Sequence, residues 1–253
     1  RQLRKAGITM DLTGKRIVLI GGSAGIGLAT AKRAARLGAS LVIAGRTEQR
    51  LQSAKKQIDG TVETHQLDAT DEAAVADFFA RIGPFDHLSM LVPAASDKAL
   101  STKFVRFLDM TSEDFAAVFT NRFWSQCYAA RHGAPHMNPD GSIIFVSSTQ
   151  PRKAISNYSA SGAASGAIEI LARILSIELS PIRVNVMAPG FIETPSTDDI
   201  PADRRAAWDQ ITSAQAVKRL GRAEEIADGM LFLMTSEYTT GTVLDIDGGY
   251  RLT

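Results

Sequence analysis

Short runs of β-branched and other apolar residues alternate with longer amphipathic stretches along almost the whole chain, and this alternation restricts the fold more than any other feature. Strands separated by helical stretches of roughly 10–20 residues need crossover connections, which make neighbouring strands parallel. The pattern predicts strands over 16–20, 40–44, 61–67, 87–92, 142–147, 182–187 and 242–246. Helices are expected over 26–37, 48–58, 71–82, 112–133, 157–179 and 223–234. Gly38 ends the first helix, Gly83-Pro84 ends the third, and Ser112 is a good N-cap for the fourth. The expected fold is α/β, a doubly wound parallel seven-stranded sheet with helices on both faces.

No internal repeat or Pro/Ser-rich linker divides the chain, so residues 14–253 read as one domain behind a solvated tail, 1–13. The stretches 93–111 and 190–222 have the weakest periodicity. Both follow strand carboxyl ends, the edge where open α/β sheets bind ligands, so both are expected to border a substrate cleft. A net charge of +1 gives no basic excess to drive nucleic-acid or anionic-membrane binding. No apolar run approaches the ~18 residues of a membrane helix. Cys127 is the sole cysteine, so no intrachain disulfide can form, and the composition reads as cytoplasmic. His65, His87, His132 and His136 do not form a metal-ligand spacing, and no metal is expected.

Between the first strand and first helix lies Gly21-Gly-Ser-Ala-Gly25-Ile-Gly27. A strand followed by this loop and then a helix is the context in which a dinucleotide's pyrophosphate is held. Glycines let the backbone approach closely, and the helix start offers N–H groups. An NAD site would place a carboxylate at the end of the second strand, for the ribose 2′-OH. That end reads Ala44-Gly45-Arg46-Thr47, which offers instead a guanidinium for a 2′-phosphate. The cofactor expected is therefore NADP(H). The competing reading is that Arg46 only caps a surface turn.

With these pieces the chain resembles the short-chain dehydrogenase/reductase family over roughly residues 12–252. The resemblance is carried by the glycine loop, Leu67-Asp68, Asn121, Ser147-Ser148, Arg183-Val-Asn-Val-Met-Ala-Pro-Gly190 and Asp247-Gly248-Gly249. It implies a Rossmann sheet assembled as a homodimer or homotetramer through the two long helices and the final strand. It implies Gly21, Ser23, Gly25, Ile26 and Gly27 around the phosphates, and Asp68 with Ala69 at the adenine. Ala94 would lie on the cofactor shelf, and Pro189, Ile192 and Thr194 around the nicotinamide. The implied chemistry is hydride transfer to a carbonyl carbon. A tyrosine gives the proton, a serine polarises the oxygen, an asparagine supports a water chain, and a lysine holds the ribose and lowers the phenol pKa.

The chain departs from this pattern at two places. Tyr158-Ser-Ala-Ser-Gly162 looks like the family's Y-x-A-S-K with its lysine lost. Counting back from Arg173 and Glu178-Leu179 instead puts the tyrosine position at Ser161 and the lysine position at Ser165, at the usual family distance from Ser148. In either register the lysine is absent. The second departure is Leu91-Val-Pro-Ala-Ala-Ser96, where the family usually has L-V-N-N-A-G, and Pro93 also removes an N–H donor.

Ser148, Tyr158, Asn121 and Ser161 are the candidate chemistry residues. Ser161 is too weak an acid to replace a phenol. Tyr158 lies three positions away on the same helix and could swing toward the nicotinamide or merely pack the helix start. Without a cation beside it, its phenol has no reason to leave the ~10 reference value. A ketone needs a proton as alkoxide charge develops, whereas an iminium is neutralised by hydride alone. The expectation is thus a reductase of an organic carbonyl or an activated imine or iminium, favouring pre-activated or bulky acceptors, with NADPH-dependent cyclisation or redox-silent NADP(H) binding as alternatives. Arg122, Arg131 and Asp97 are charged residues that could reach a pocket, though each reads better as a solvated face or rim. Phe104, Phe107, Phe191 and Trp208 would roof the cleft for a small, apolar substrate.

Overall fold

The computed structural model describes residues 10–91, 105–194 and 202–253, the side chains of 202–207 excepted. Along the chain run β1 (Arg16–Ile20), α1 (Gly25–Arg36), β2 (Ser40–Gly45), α2 (Glu48–Lys55), β3 (Val62–Gln66), α3 (Glu72–Ile82) and β4 (Phe85–Met90). Then come α4 (Ser112–Phe119), a π turn (Thr120–Trp124), α5 (Ser125–Gly133), β5 (Met137–Val146), α6 (Ser159–Glu178) and β6 (Arg183–Pro189). The last elements are β7 (Ile192–Glu193), α7 (Ala202–Ala214), β8 (Gly221–Arg222), α8 (Ala223–Thr235) and β9 (Val243–Ile246).

Seven strands form one sheet in the order β3-β2-β1-β4-β5-β6-β9, with every neighbouring pair parallel. The chain winds outward from β1 to β3, then returns to the other side of β1 with β4. Ligand crevices open at such a reversal, beyond the strand carboxyl ends. Strands buried on both faces can be continuously apolar. Accordingly, Ile17 and Leu19 pack with Ala31, Ile226 and Met230 on one face. Val18 and Ile20 pack with Phe78, Phe79 and Ile168 on the other. The Phe78 and Phe79 rings meet edge-on at 4.9 Å, and Phe85 lies 5.7 Å beyond.

Several sequence expectations need correction. The tail is not solvated up to residue 13: Leu12 is buried, and its N–H donates to the Leu37 carbonyl at 3.0 Å. The N-cap of α4 is Thr111, not Ser112. Thr111 Oγ1 accepts from Asp114 N, and the Asp114 carboxylate accepts from Thr111 N, a reciprocal capping box. The helix expected over 112–133 is broken by the π turn. Strand β5 starts at Met137, through an Asn-Pro-Asp-Gly sequence that reads as a turn, and its register against β4 slips there. Helix α7 and the pair β7–β8 had no clear period. By length and composition α6 could cross a membrane, with a mean hydropathy of 1.3. Its inner face nevertheless packs on the sheet and carries the buried, ion-paired Glu169.

Candidate functional site

The glycine loop bridges β1 and α1 at the reversal point. Gly21 and Gly25 have φ of +91° and +51°, backbone that L side chains rarely adopt. A Cβ on Gly27 would overlap the Gly21 carbonyl, so the first turn of α1 sits against the end of β1 only because that atom is missing. The α1 N-cap, Ala24, is extended and supplies no side-chain cap, and the first turn holds no acid. Its N–H groups therefore face the crevice as donors for an anion. A Cβ on Gly45 would lie 3.7 Å from Ser23 Oγ, so the loop hydroxyl sits above the end of β2. Arg46 follows, exposed, its carbonyl held by Gln66 Nε2 at 2.9 Å. Across the crevice, a Cβ on Gly25 would lie 3.3 Å from Thr194 Cγ2, which brings the segment after β6 over the loop. These residues fit a dinucleotide with a phosphorylated ribose.

Asp68 is exposed beyond β3, where its Oδ1 accepts from Thr70 N at 3.0 Å and Thr70 Oγ1 at 2.7 Å; Ala69 beside it is buried. Pro189 ends β6, and Ile192 pairs with Gly221 in the small sheet. Ala94, Pro93, Asp97 and Phe104 lie outside the described residues.

Beyond β5 a polar cluster gathers. Ser148 Oγ lies 3.0 Å from the buried Ser165 Oγ and 3.3 Å from Gln150 Oε1. Ser161 Oγ donates to Gln150 Oε1 at 2.8 Å. Arg122 Nη1 donates to Ser165 Oγ at 3.3 Å. The expectation that Arg122 is a solvated rim residue is thus overturned, because the π turn carries its guanidinium inward onto Ser165. Burial pushes the Arg122 pKa down to about 10, while the Tyr158 phenol draws it back up. A guanidinium remains charged at neutral pH.

Tyr158 caps α6, just after Asn157, whose φ of +68° turns the chain into the helix. Asn tolerates that left-handed conformation better than most residues. Tyr158 is half-buried, and its phenol raises the Arg122 pKa, which puts a cation within electrostatic range of the ring where the sequence suggested none. Asn121 serves its own helix: Nδ2 donates to the Ala117 carbonyl at 2.9 Å, and its carbonyl accepts from Ser125 Oγ at 2.6 Å.

A second set of charges fixes Ser148 from behind. Arg152 donates from Nη2 to the Ser148 carbonyl at 2.8 Å, from Nη1 to Glu169 at 2.6 Å, and from Nε to Asp245 Oδ1 at 2.8 Å. Glu169 also accepts from Ser147 Oγ at 2.5 Å. Sequence reasoning missed Gln150, Arg152 and Glu169. Their only signals were proximity to Ser148 and a carboxylate on the apolar side of a helix. Phe191 meets Trp208 edge-on at 5.2 Å and Tyr250 at 5.1 Å, an aromatic wall beside β7. Phe107 is exposed and meets Phe115 edge-on at 6.1 Å. Arg131 and His132 pair with Glu72 away from the cluster. Among the described residues no group of three or more His, Cys, Asp or Glu is placed to hold a metal.

The fold and the glycine loop define a dinucleotide-binding α/β domain. The family model described as enoyl-(acyl carrier protein) reductase matches residues 21–251. The 3-oxoacyl-[acyl-carrier-protein] reductase FabG of Thermotoga maritima is 32% identical over 253 residues, covering 95% of this chain and 99% of its own. A small-chain dehydrogenase solved in complex with NADPH is 31% identical with a TM-score of 0.79, covering 94% of this chain and 99% of that one. The MalC reductase/Diels-Alderase of Malbranchea aurantiaca is 26% identical with a TM-score of 0.85, covering 96% and 97%. The chain belongs to the short-chain dehydrogenase/reductase family.

Proposed function

We propose that this protein is an NADPH-dependent reductase of a small, largely apolar organic carbonyl compound. Gly21, Ser23, Gly25, Ile26 and Gly27 would hold the pyrophosphate, Arg46 the 2′-phosphate, and Asp68 with Ala69 the adenine. Pro189, Ile192 and Thr194 would border the nicotinamide. NADPH, when bound, supplies a hydride to the acceptor's carbonyl carbon. As the π pair moves onto the carbonyl oxygen, Ser148 donates a hydrogen bond to it and Tyr158 gives up its phenolic proton. The resulting phenolate is stabilised by the Arg122 charge and reprotonated from water. Ser161, held by Gln150, would line the pocket beside the acceptor.

The observation that carries this reading is the Arg122 guanidinium bonded to Ser165. Without a cation, the sequence favoured iminium acceptors. A fixed positive charge reverses that preference, because it repels an iminium and attracts a developing alkoxide. Resemblance to a reductase/Diels-Alderase supports a second reading, in which reduction is coupled to cyclisation. Absorbance loss of NADPH with matched ketone and iminium acceptors separates the two. Ketone turnover to the simple alcohol supports the first reading, NADPH loss with a cyclised product by NMR the second, and NADPH binding without turnover of either acceptor contradicts both.

The family resemblance also favours a homodimer or homotetramer. An apolar groove of about 640 Å³ lies between α5 and α6, lined by Phe123, Trp124, Tyr128, Leu171 and Leu175. Ile170, Ile174 and Ile177 stand exposed on α6. A second copy laid against these helices would remove this surface from water.

A further inference from the structure

Three hydroxyl and guanidinium groups line up in the cluster beyond β5. Arg122 Nη1 donates to Ser165 Oγ at 3.3 Å, and Ser165 Oγ lies 3.0 Å from Ser148 Oγ. Arg122 comes from the π turn, Ser165 from the inner face of α6 and Ser148 from the end of β5, so three separate elements meet here. Ser165 is 1% exposed, and water does not compete for its hydroxyl. Ser148 is fixed from behind by Arg152, which holds its carbonyl, and Gln150 N donates to its hydroxyl at 3.3 Å.

We propose that Arg122 is a positioning residue, the fixed charge at the root of a hydrogen-bond chain that runs through Ser165 and Ser148 to the acceptor's oxygen. This rests on the reductase reading above. With no acceptor present, Ser148 donates to Ser165. When an acceptor oxygen arrives, both hydroxyls rotate: Ser165, already accepting from the cation, donates to Ser148, and Ser148 donates outward. Each bond polarises the next, and the low dielectric of a buried site strengthens the effect. A positive charge three hydrogen bonds away thus favours the charge that builds on the oxygen as hydride reaches carbon. Arg122 touches neither acceptor nor coenzyme in this role. Electron and proton balance are those of carbonyl reduction: carbon gains the hydride, oxygen gains the π pair, and the Tyr158 proton neutralises it.

The test compares wild type, Arg122→Met, Arg122→Lys and Ser165→Ala on a neutral ketone and on an iminium of similar shape. Removing a direct oxyanion donor costs about 100–1000-fold in kcat, so removing a charge two links back is expected to cost about 10–100-fold on the ketone. KM and NADPH affinity should stay within a few-fold, Arg122→Lys should recover part of the loss, and iminium turnover should hold or rise. Ser165→Ala breaks the chain without removing the charge and should lower ketone kcat in the same direction. An activity-independent arm uses isotope-edited infrared spectroscopy of carbonyl-labelled acetophenone bound with NADP⁺. Its C=O stretch should shift to lower frequency in wild type, lose that shift in Arg122→Met and regain it in Arg122→Lys. Unchanged ketone kcat and unchanged C=O frequency in Arg122→Met would overturn the proposal, as would equal losses on both acceptors. Wild type that binds NADPH but reduces neither acceptor overturns the reductase reading and this inference together.

Discussion

A Cβ added to Gly27 would overlap the carbonyl oxygen of Gly21, two backbones that must touch for α1 to begin where it does. Neither partner is a flexible side chain, so the strain cannot be relieved by a rotamer change. Gly27→Ala is expected to destabilise the fold by about 1–3 kcal/mol, the range for overpacking, and to weaken NADPH binding by more than its effect on stability. Denaturant titration and NADPH fluorescence on the same sample check both. A variant of wild-type stability and wild-type affinity would show that the loop does not hold the coenzyme.

Arg152 joins Glu169, Asp245 and the Ser148 carbonyl in one place. Arg152→Met leaves Glu169 buried without its partner, which is costly because the desolvation penalty stays. Arg152 reaches solvent in part, so the expected loss is about 2–3 kcal/mol, less than the roughly 3–5 kcal/mol of a fully buried pair. Asp245 keeps Arg251 at 3.4 Å, and the double variant Arg152→Met with Glu169→Leu should recover much of the stability but not the ketone turnover. Urea midpoints together with kcat test this. Full turnover in the double variant would show that Ser148 needs no anchor.

The fold was largely legible because central strands such as β1 and β2 are short apolar runs with both faces covered. Val18 and Leu19, neighbours in sequence, end in opposite cores. The site was legible where chemistry needs a particular backbone, as at Gly25 and Gly27. It was not legible at Arg122. That residue lies 43 positions from Ser165, and its direction depends on a single π turn that no apolar period announces. Asn121 Nδ2 donates to the carbonyl of Ala117 in its own helix, a local bond that no spacing announces. Thr111 outcompetes Ser112 as N-cap because Asp114 stands three residues after it and closes the capping box.

His87 is buried, with Nδ1 2.9 Å from Ser142 Oγ, and burial pushes its pKa from 6.5 down to about 4. Above pH 6.5 it is neutral whether folded or unfolded and contributes no pH dependence. As pH falls from 6.5 towards 4, the unfolded chain takes up a proton that the folded one refuses, and stability is lost. The loss saturates near 3 kcal/mol and reaches about 2 kcal/mol by about pH 5. Urea midpoints at about pH 7 and pH 5 should show it, and His87→Asn should flatten this stretch. Equal slopes in the two proteins would remove His87 from the account.

Ile174 lies half-exposed on the outer face of α6, beside the groove with Leu175. If a second copy covers this face, Ile174→Glu places an unpaired charge in an apolar contact. Light scattering is expected to find wild type as a dimer or tetramer and the variant as a smaller species. A monomeric wild type, or a variant that assembles unchanged, would leave this face without the proposed partner.

The central claim is that the glycine loop and Arg46 together hold a phosphorylated dinucleotide. Calorimetric titration of wild type and Arg46→Ala with NADPH and with NADH tests it most directly. The account predicts that NADPH binds wild type at least about tenfold more tightly than NADH, and that Arg46→Ala loses most of that preference while still binding both, since a charge-assisted phosphate contact is worth about 1.5–3 kcal/mol. No heat with either dinucleotide, or equal affinity for the two in wild type, would contradict it.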